Sequence, residues 1–533
     1  MISNLLCKGR LPGKKKGVLM PLFSLPSKYG IGCISEEAYR FVDWLAETGH
    51  EYWQMLPLNP TGNADSPYQP LSSFAGNAYF IDPAALIRQG LLSEDEAAEF
   101  DPDGCGNAAA ASCCGGAVSD GISGCVNYEG LYDVRMEMLR TAYHRFDAGE
   151  GSDDGVGIGF GSKAFRDFCD YNEYWLDDYA LYMALREKIG KEFSWDEWPE
   201  PLQRREAWAI NEAREECADW IGFYKWTQFE FFRQWAALKS YANGAGIKII
   251  GDMPIYVSYD SADCWANPEQ FLLDENLKPL LIAGVPPDAF TAEGQLWGNP
   301  LYDWEKMKKE GYLWWILKTR HSFFLYDVIR LDHFRGFESY YAVAADAENA
   351  MHGEWKKGPG MELFNTLVRE MDDIRLSDLF IAEDLGFLTE DVHQLLRDSG
   401  LPGTKVLQFA FDGDPGNIYL PENYPENCVV YTGTHDNDTT VGWFESLEDR
   451  EREPILRYLG IERPHDSTDS HPNASGTCLA DEVCDALIEK ALTSRADLCI
   501  IPLQDYLHLG SEARTNIPGT VGGNWCWRLN QKL

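Results

Sequence analysis

Eight short aliphatic or β-branched runs, each ending in polar or acidic residues, recur along this 533-residue chain. They are Val18–Leu22, Tyr52–Pro57, Ile247–Met253, Val328–His333, Leu379–Asp384, Lys405–Phe411, Val429–Asp436 and Leu498–Asp505. Amphipathic stretches long enough for helices separate most of them, for example Glu36–Thr48, Gly311–Phe324, Gly360–Asp372 and Leu388–Ser399. Continuous apolar strands alternating with helices predict a parallel sheet covered on both faces. Eight such units point to an α/β fold, a (β/α)8 TIM barrel, although a doubly wound open sheet gives much the same pattern. The positions of the chemistry-bearing residues favour the barrel, because they fall at the polar ends of the runs.

The spacing is uneven. Roughly 190 residues lie between the second and third runs, too many for one crossover. Much of that stretch reads as helical, as in Tyr179–Ile189 and Ala218–Tyr241, with many Trp and Tyr residues. The expected organisation is a single catalytic domain over 1–533, with 14–84 and 240–533 as barrel core and 85–239 as a mostly helical inserted subdomain. Flexible loops are expected near 101–125 and 149–162, where Gly, Ala and Ser accumulate, and at Pro464–Thr477. Most Trp residues on helical stretches, such as Trp314, Trp315 and those from Trp220 to Trp235, are expected in the core. Trp297 is the exception, since it lies in a Gly/Asn/Pro segment.

A formal net charge of −39 argues against nucleic acid and anionic membranes as partners, because each phosphate would meet a repulsive field. Neutral ligands are not repelled, and 18 Trp, 26 Tyr and 26 Phe supply faces for a sugar chain. No apolar stretch reaches bilayer length and no export signal is evident, so a cytoplasmic location with free thiols is expected. Cys105, Cys113, Cys114 and Cys125 cluster without the paired spacing of a zinc site. The run Gly155–Gly161 lacks the spacing of a dinucleotide loop and follows acidic residues instead of a strand.

Three segments put carboxylates at the polar end of a predicted strand: Val328-Ile-Arg-Leu-Asp-His-Phe-Arg-Gly-Phe337, Phe380-Ile-Ala-Glu-Asp-Leu-Gly386 and Tyr431-Thr-Gly-Thr-His-Asp-Asn-Asp438. In a barrel such ends converge on one face. Two carboxyl groups flanking a glycosidic bond are the minimum for retaining glycoside chemistry. Asp332 would stay ionised as nucleophile with the help of Arg330, two residues earlier on the same strand face. Glu383 would donate the proton, and Asp436 with His435 would contact sugar hydroxyls. Any one such carboxylate could instead cap the following helix, and His435, Asp436 and Asp438 admit a less favoured reading as metal ligands. The three segments occurring together are what speaks for a site.

With these segments in place, the chain resembles the amylomaltase family, the 4-α-glucanotransferases or disproportionating enzymes of glycoside hydrolase family 77, in the α-amylase clan. The resemblance runs through Ser27-Lys-Tyr-Gly-Ile-Gly32, Leu56-Pro-Leu-Asn-Pro-Thr-Gly62 and Asp65-Ser-Pro-Tyr-Gln-Pro-Leu-Ser-Ser-Phe-Ala-Gly-Asn77. It continues in Gly251-Asp-Met-Pro-Ile-Tyr-Val257, Gly284-Val-Pro-Pro-Asp-Ala-Phe290, Gln295-Leu-Trp-Gly-Asn-Pro-Leu-Tyr-Asp-Trp304, Asn516-Ile-Pro-Gly-Thr520 and Asn524-Trp-Cys-Trp-Arg528. It implies Asp332 as nucleophile, Glu383 as acid/base and Asp436 as the third, transition-state-stabilising carboxylate. It implies substrate contacts from Arg330, His333, His435, Tyr68, Asp252, Gln295, Trp297 and Asn299, and from Asp288 in an overhanging loop. The implied reaction moves an α-1,4-glucan segment from a maltodextrin donor to the 4-hydroxyl of an acceptor glucan or glucose, with no metal or organic cofactor. The sequence departs from the pattern at Cys33 and Ile34, where Asp-Leu is common, and at Ala289, where an aromatic residue is usual. An α-glucan hydrolase with the same carboxylates is the rival expectation; a non-catalytic glucan-binding barrel is the other, and the presence of all three carboxylates speaks against it.

Overall fold

The computed structural model describes residues 14–99, 123–150, 159, 162–287, 291–371, 374–386, 388–462 and 478–530. Each of the eight predicted runs overlaps one strand: β1 (Lys15–Leu19), β2 (Tyr52–Gln54), β3 (Lys248–Met253), β4 (Val328–Leu331), β5 (Phe380–Ala382), β6 (Gly403–Val406), β7 (Cys428–Tyr431) and β8 (Leu498–Pro502), with β1, β6 and β7 beginning before their runs. All neighbours pair in parallel. Val18 of β1 is opposite both Trp53 of β2 and Ile501 of β8, so the sheet closes on itself and has no edge. The closed barrel is therefore the fold, and the open-sheet alternative is excluded.

Closure decides where function can lie. Val18, Trp53, Ile249, Ile329, Ile381, Val430 and Ile500 are all but excluded from solvent, which is why the strands read as apolar runs without alternation. The carboxylates of the site gather toward the C-terminal ends of the strands, with Asp252 near the end of β3 and Asp332 and Glu383 directly after β4 and β5. Because the strands are parallel, the ends that carry Asp252, Asp332, Glu383 and Asp436 open at one mouth.

Between β2 and β3 the chain forms α1 (Tyr128–Asp147), α2 (Lys163–Tyr171), α3 (Glu173–Ile189) and α4 (Ala218–Gly244). The Trp-rich helix α4 is core, as expected: Phe223, Trp226, Phe231, Trp235 and Leu238 are buried along it. Trp314 and Trp315 are buried as well, on α5 (Leu313–Leu325). Helix α4 also fastens the motif 65–77 to the barrel. The Gln228 side chain accepts from Gly76 N at 2.7 Å and donates to Gly76 O at 2.9 Å. His321 Nε2 of α5 lies 2.7 Å from Phe74 O.

Two features were not anticipated. A four-stranded antiparallel sheet has the order Gln295–Pro300, Leu281–Val285, Ser339–Ala344, Gly353–Lys357. Its strands are short, three of the four carry Gly, Pro or charges, and Leu281–Val285 pairs with a strand from beyond β4, which no local sequence signal links to it. The other is a ribbon pairing Ser123–Cys125 with Trp527–Leu529. It corrects the loop expected over 101–125 in its last three residues; the remainder of that loop, most of 149–162 and all of 464–477 lie outside the described residues. Among the described residues no helix is long and apolar enough to cross a membrane.

A Cβ at Gly76 would stand 2.0 Å from the Phe231 ring of α4. Gly76→Ala is expected to cost about 1–3 kcal/mol through overpacking, read as a lower urea midpoint, and to lower activity because Tyr68 rides on the same segment. An unchanged midpoint would show that α4 yields freely.

Candidate active site

The site is assembled around one guanidinium. Arg330 points from β4 into the mouth with only 3% of its side chain exposed. Its Nη1 donates to Asp252 Oδ1 at 2.8 Å and Oδ2 at 2.7 Å, and to Asp332 Oδ1 at 2.9 Å. Asp252 is the penultimate residue of β3, the neighbouring strand, and pairs in register with Arg330 itself; its side chain is fully enclosed. Tyr68 Oη donates to Asp252 Oδ2 at 2.9 Å. The Asp252 carboxylate is thus saturated by its neighbours, whereas Asp332 keeps an oxygen for the lumen and remains 27% exposed.

Glu383 follows β5 as Asp332 follows β4. Register places Ala382 opposite Leu331, and Glu383 N donates to Leu331 O at 3.1 Å. Its Oε2 accepts from His333 N at 2.9 Å and its Oε1 from Leu385 N at 2.8 Å. His333 takes a left-handed backbone, φ 51°, at the turn that brings this N–H round. Burial raises the pKa of both carboxyls, and Arg330 opposes it. The guanidinium touches Asp332 and not Glu383, so the proton shared between the two carboxyls rests on Glu383, pushed up by burial and by the Asp332 charge.

On the opposite side, the Tyr68 ring stacks on His435 with centroids 5.2 Å apart and planes 15° from parallel. Burial holds His435 below the ordinary imidazole range, and burial lowers His333 to about 3, so both are neutral hydrogen-bonding groups at neutral pH. His435 Nε2 lies 3.3 Å from Asp436 Oδ2. Asp436, after β7, is the most open of the three carboxylates at 43%.

The rim comes from the antiparallel sheet. Trp297 meets the His333 ring edge-on at 4.8 Å, and its Nε1 donates to Gln295 Oε1 at 3.2 Å. Gln69 joins this strand to the Tyr68 segment, donating to Trp297 O at 3.0 Å and Asn299 Oδ1 at 3.1 Å. Asn299 returns a bond to Gln69 Oε1 at 3.2 Å and holds Val257 O at 2.8 Å. The structure therefore gathers Asp332, Glu383, Asp436, Arg330, His333, His435, Tyr68 and Asp252 at the mouth, with Gln295, Trp297 and Asn299 beside it. Asp288, like Ala289, lies outside the described residues. Sequence reasoning did not single out Gln69, Arg514, Asn516 or Trp525; Gln69, Asn516 and Trp525 fall inside motif stretches, but nothing in their spacing marks them as neighbours of the carboxylates.

A closed (β/α)8 barrel with carboxylates on adjacent strand ends around a shared arginine defines an enzyme of the two-carboxylate, glycoside-processing class. The family model for 4-alpha-glucanotransferase, glycoside hydrolase family 77, matches residues 20–532, and the chain belongs to that family. Among its relatives, a 4-alpha-glucanotransferase of Aquifex aeolicus is 43% identical over 97% of this chain and 95% of the relative. One from Streptococcus pneumoniae is 42% identical over 97% and 94%. Among solved structures, an amylomaltase from Streptococcus agalactiae in complex with acarbose matches with a TM-score of 0.84 at 36% identity, covering 97% of this chain and 95% of that one.

The proton on Glu383 has a measurable consequence for stability. Its folded pKa, about 8, lies above the unfolded value of 4.5, so between these values the folded state binds more protons and stability falls as pH rises. Glu383→Gln removes this dependence. The variant's stability relative to wild type is expected to increase between pH 5 and pH 8.5 in urea unfolding; a constant difference across that range would place the proton elsewhere.

Proposed function

We propose that the chain transfers an α-1,4-glucan segment from a maltodextrin donor to the 4-hydroxyl of an acceptor glucan or glucose by double displacement, with Asp332, Glu383 and Asp436 as its carboxylates. The observation that carries this assignment is the unequal treatment of two neighbouring carboxyls: Arg330 holds Asp332 at 2.9 Å, while Glu383, one strand over, accepts only from the backbone N–H groups of His333 and Leu385 and has its pKa raised by burial. Adjacent parallel strands stand about 4.8 Å apart, which suits the roughly 5–5.5 Å carboxyl separation of retaining enzymes.

In the first displacement Glu383 protonates the glycosidic oxygen as the free oxygen of Asp332 attacks the anomeric carbon. The bond to the leaving glucan breaks and a covalent glycosyl ester forms. Glu383 is now a carboxylate. It takes the proton of the acceptor 4-hydroxyl as that oxygen attacks the same carbon from the opposite face, releasing Asp332. Arg330 neutralises charge on Asp332 when it leaves, and Asp252 with Tyr68 holds Arg330 still. Asp436 and His435 accept and donate to hydroxyls of the distorted, oxocarbenium-like sugar. Transfer rather than hydrolysis requires the acceptor to occupy the site while water is kept from the ester; Trp297 against His333 supplies an apolar wall there.

Incubation with maltotriose alone tests the reading. A ladder of longer maltodextrins with the total of reducing ends conserved is expected; glucose and maltose with rising reducing ends would mean a hydrolase. Asp332→Asn is expected to lower kcat by roughly 10⁴-fold or more while maltodextrin still binds, and near-wild-type turnover would remove Asp332 as nucleophile. The pH dependence of kcat/KM follows the free enzyme, so it should fall as pH rises through about 8, where Glu383 loses its proton. An activity flat to pH 9.5 would contradict the acid role.

A further inference from the structure

After β8 closes the barrel, the chain has no further part in the barrel sheet, yet residues 503–529 return across the mouth. Ser24 Oγ donates to Trp527 O at 2.7 Å and Arg528 Nη1 to Ser27 O at 2.9 Å, anchoring the far end of this strap beside β1. The ribbon with Ser123–Cys125 ties it to the inserted segment. Between these anchors the strap makes a set of bonds to the loop that carries Asp436. Asn516 Nδ2 donates to Asp436 Oδ1 at 2.6 Å. Asn516 N donates to His435 O at 3.1 Å. Arg514 Nη2 donates to Asp436 O at 2.7 Å, and its Nε to Asn516 O at 2.8 Å. Trp525, held by a bond from its N to Thr515 O at 2.8 Å, lays its ring against Tyr68 at 5.6 Å and His435 at 5.9 Å.

We propose that Asn516 is a positioning residue for the reaction, which aims the Asp436 carboxylate at the reacting sugar, with Arg514 locking Asn516 in place. The proposal rests on the role given to Asp436 above. Asp436 has no other side-chain donor among the described contacts except His435, and a 43%-exposed carboxylate on a loop would otherwise sample several rotamers. Asn516 takes Oδ1, His435 faces Oδ2, and Arg514 fixes the backbone between them. The carboxylate is thereby oriented by both oxygens without a cation on either, so its full charge remains available to a developing oxocarbenium ion. Asparagine suits this place better than a lysine or arginine would: it donates one bond and brings no charge to compete with the sugar.

The titratable and charged groups around Asp436 are His435 on its own loop, Arg514 on the strap, Asp332 after β4 and Tyr68 from the segment 65–77. Asn516→Asp adds a second carboxylate in hydrogen-bond range of Oδ1, and like charges at that distance cannot both ionise easily.

Steady-state kinetics on maltotriose for Asn516→Ala, Asn516→Asp and Asp436→Asn, each with a thermal melt, test the inference. Asn516→Ala is expected to lower kcat roughly 10- to 100-fold, the worth of one hydrogen bond to a charged group, with KM changed less than about threefold and an unchanged melt. Asn516→Asp, which sets a like charge against Oδ1 in place of a donor, should lower kcat at least as far, again with KM little changed. Wild-type kcat in Asn516→Ala with an inactive Asp436→Asn would overturn the positioning role alone. Near-wild-type turnover in Asp436→Asn would overturn the role of Asp436 and this inference with it. A loss in Asn516→Ala matched by a lowered melt, with kcat kept in a stably folded Asn516→Asp, would reduce Asn516 to a structural contact and also overturn the proposal.

Discussion

The contact on which the site depends is the sharing of one Arg330 nitrogen between Asp252 and Asp332. A buried ion pair is a poor source of stability, because desolvating both partners costs about as much as their attraction returns. Its value here is asymmetry. Asp252 is fully enclosed and bonded through both oxygens, so it serves as a fixed counter-charge. Asp332 is bound through one oxygen and open through the other. Burial raises the proton affinity of Glu383 on the next strand; Arg330 opposes the rise and the Asp332 charge adds to it. The guanidinium touches Asp332 alone, so its direct contact distinguishes the two carboxyls of a single pair of adjacent strands.

Such an arrangement works only if the strands cannot slide. A closed parallel barrel provides this, since slipping one strand by a residue would turn Arg330 away from Asp252 and break both ladders beside β4. The side contacts are fixed by other means. Tyr68 and Gln69 come from an irregular segment whose own backbone offers little rigidity, and α4 and α5 supply it through Gln228, Phe231 and His321. The helices inserted between β2 and β3 thus act on the chemistry by holding a loop against the mouth, which accounts for their dense aromatic packing close to an otherwise polar site.

The eight strands were legible because burial on both faces leaves only apolar residues, and the carboxylates were legible because the first polar residue after such a run stands at the mouth. Arg330 could be placed with Asp332 from the two-residue period of a strand. Its partner Asp252 could not be, since pairing between β3 and β4 is a matter of register across 78 positions. The antiparallel sheet was hidden for a similar reason: Gln295-Leu-Trp-Gly-Asn-Pro300 has neither alternation nor strand-forming composition, and it becomes a strand only because Leu281–Val285 offers it an edge. Gln69 and Asn516 are uncharged residues in loops, and no local rule separates them from other loop amides.

The strap links the strand that closes the barrel to the site. Residues 503–529 follow β8, which pairs with both β1 and β7, and their Asn516 and Trp525 lie against Asp436, His435 and Tyr68. The far anchors of this strap, at Ser24 and Ser27, follow β1, so the segment after the first strand and the segment after the last are joined on the side of the barrel that carries the carboxylates. Asp332 and Glu383 directly follow β4 and β5, whereas Asp436 takes its amide donor from the strap. The carboxylates proposed for the reaction are thus encoded with the barrel strands, and a contact that orients one of them is encoded after the last strand.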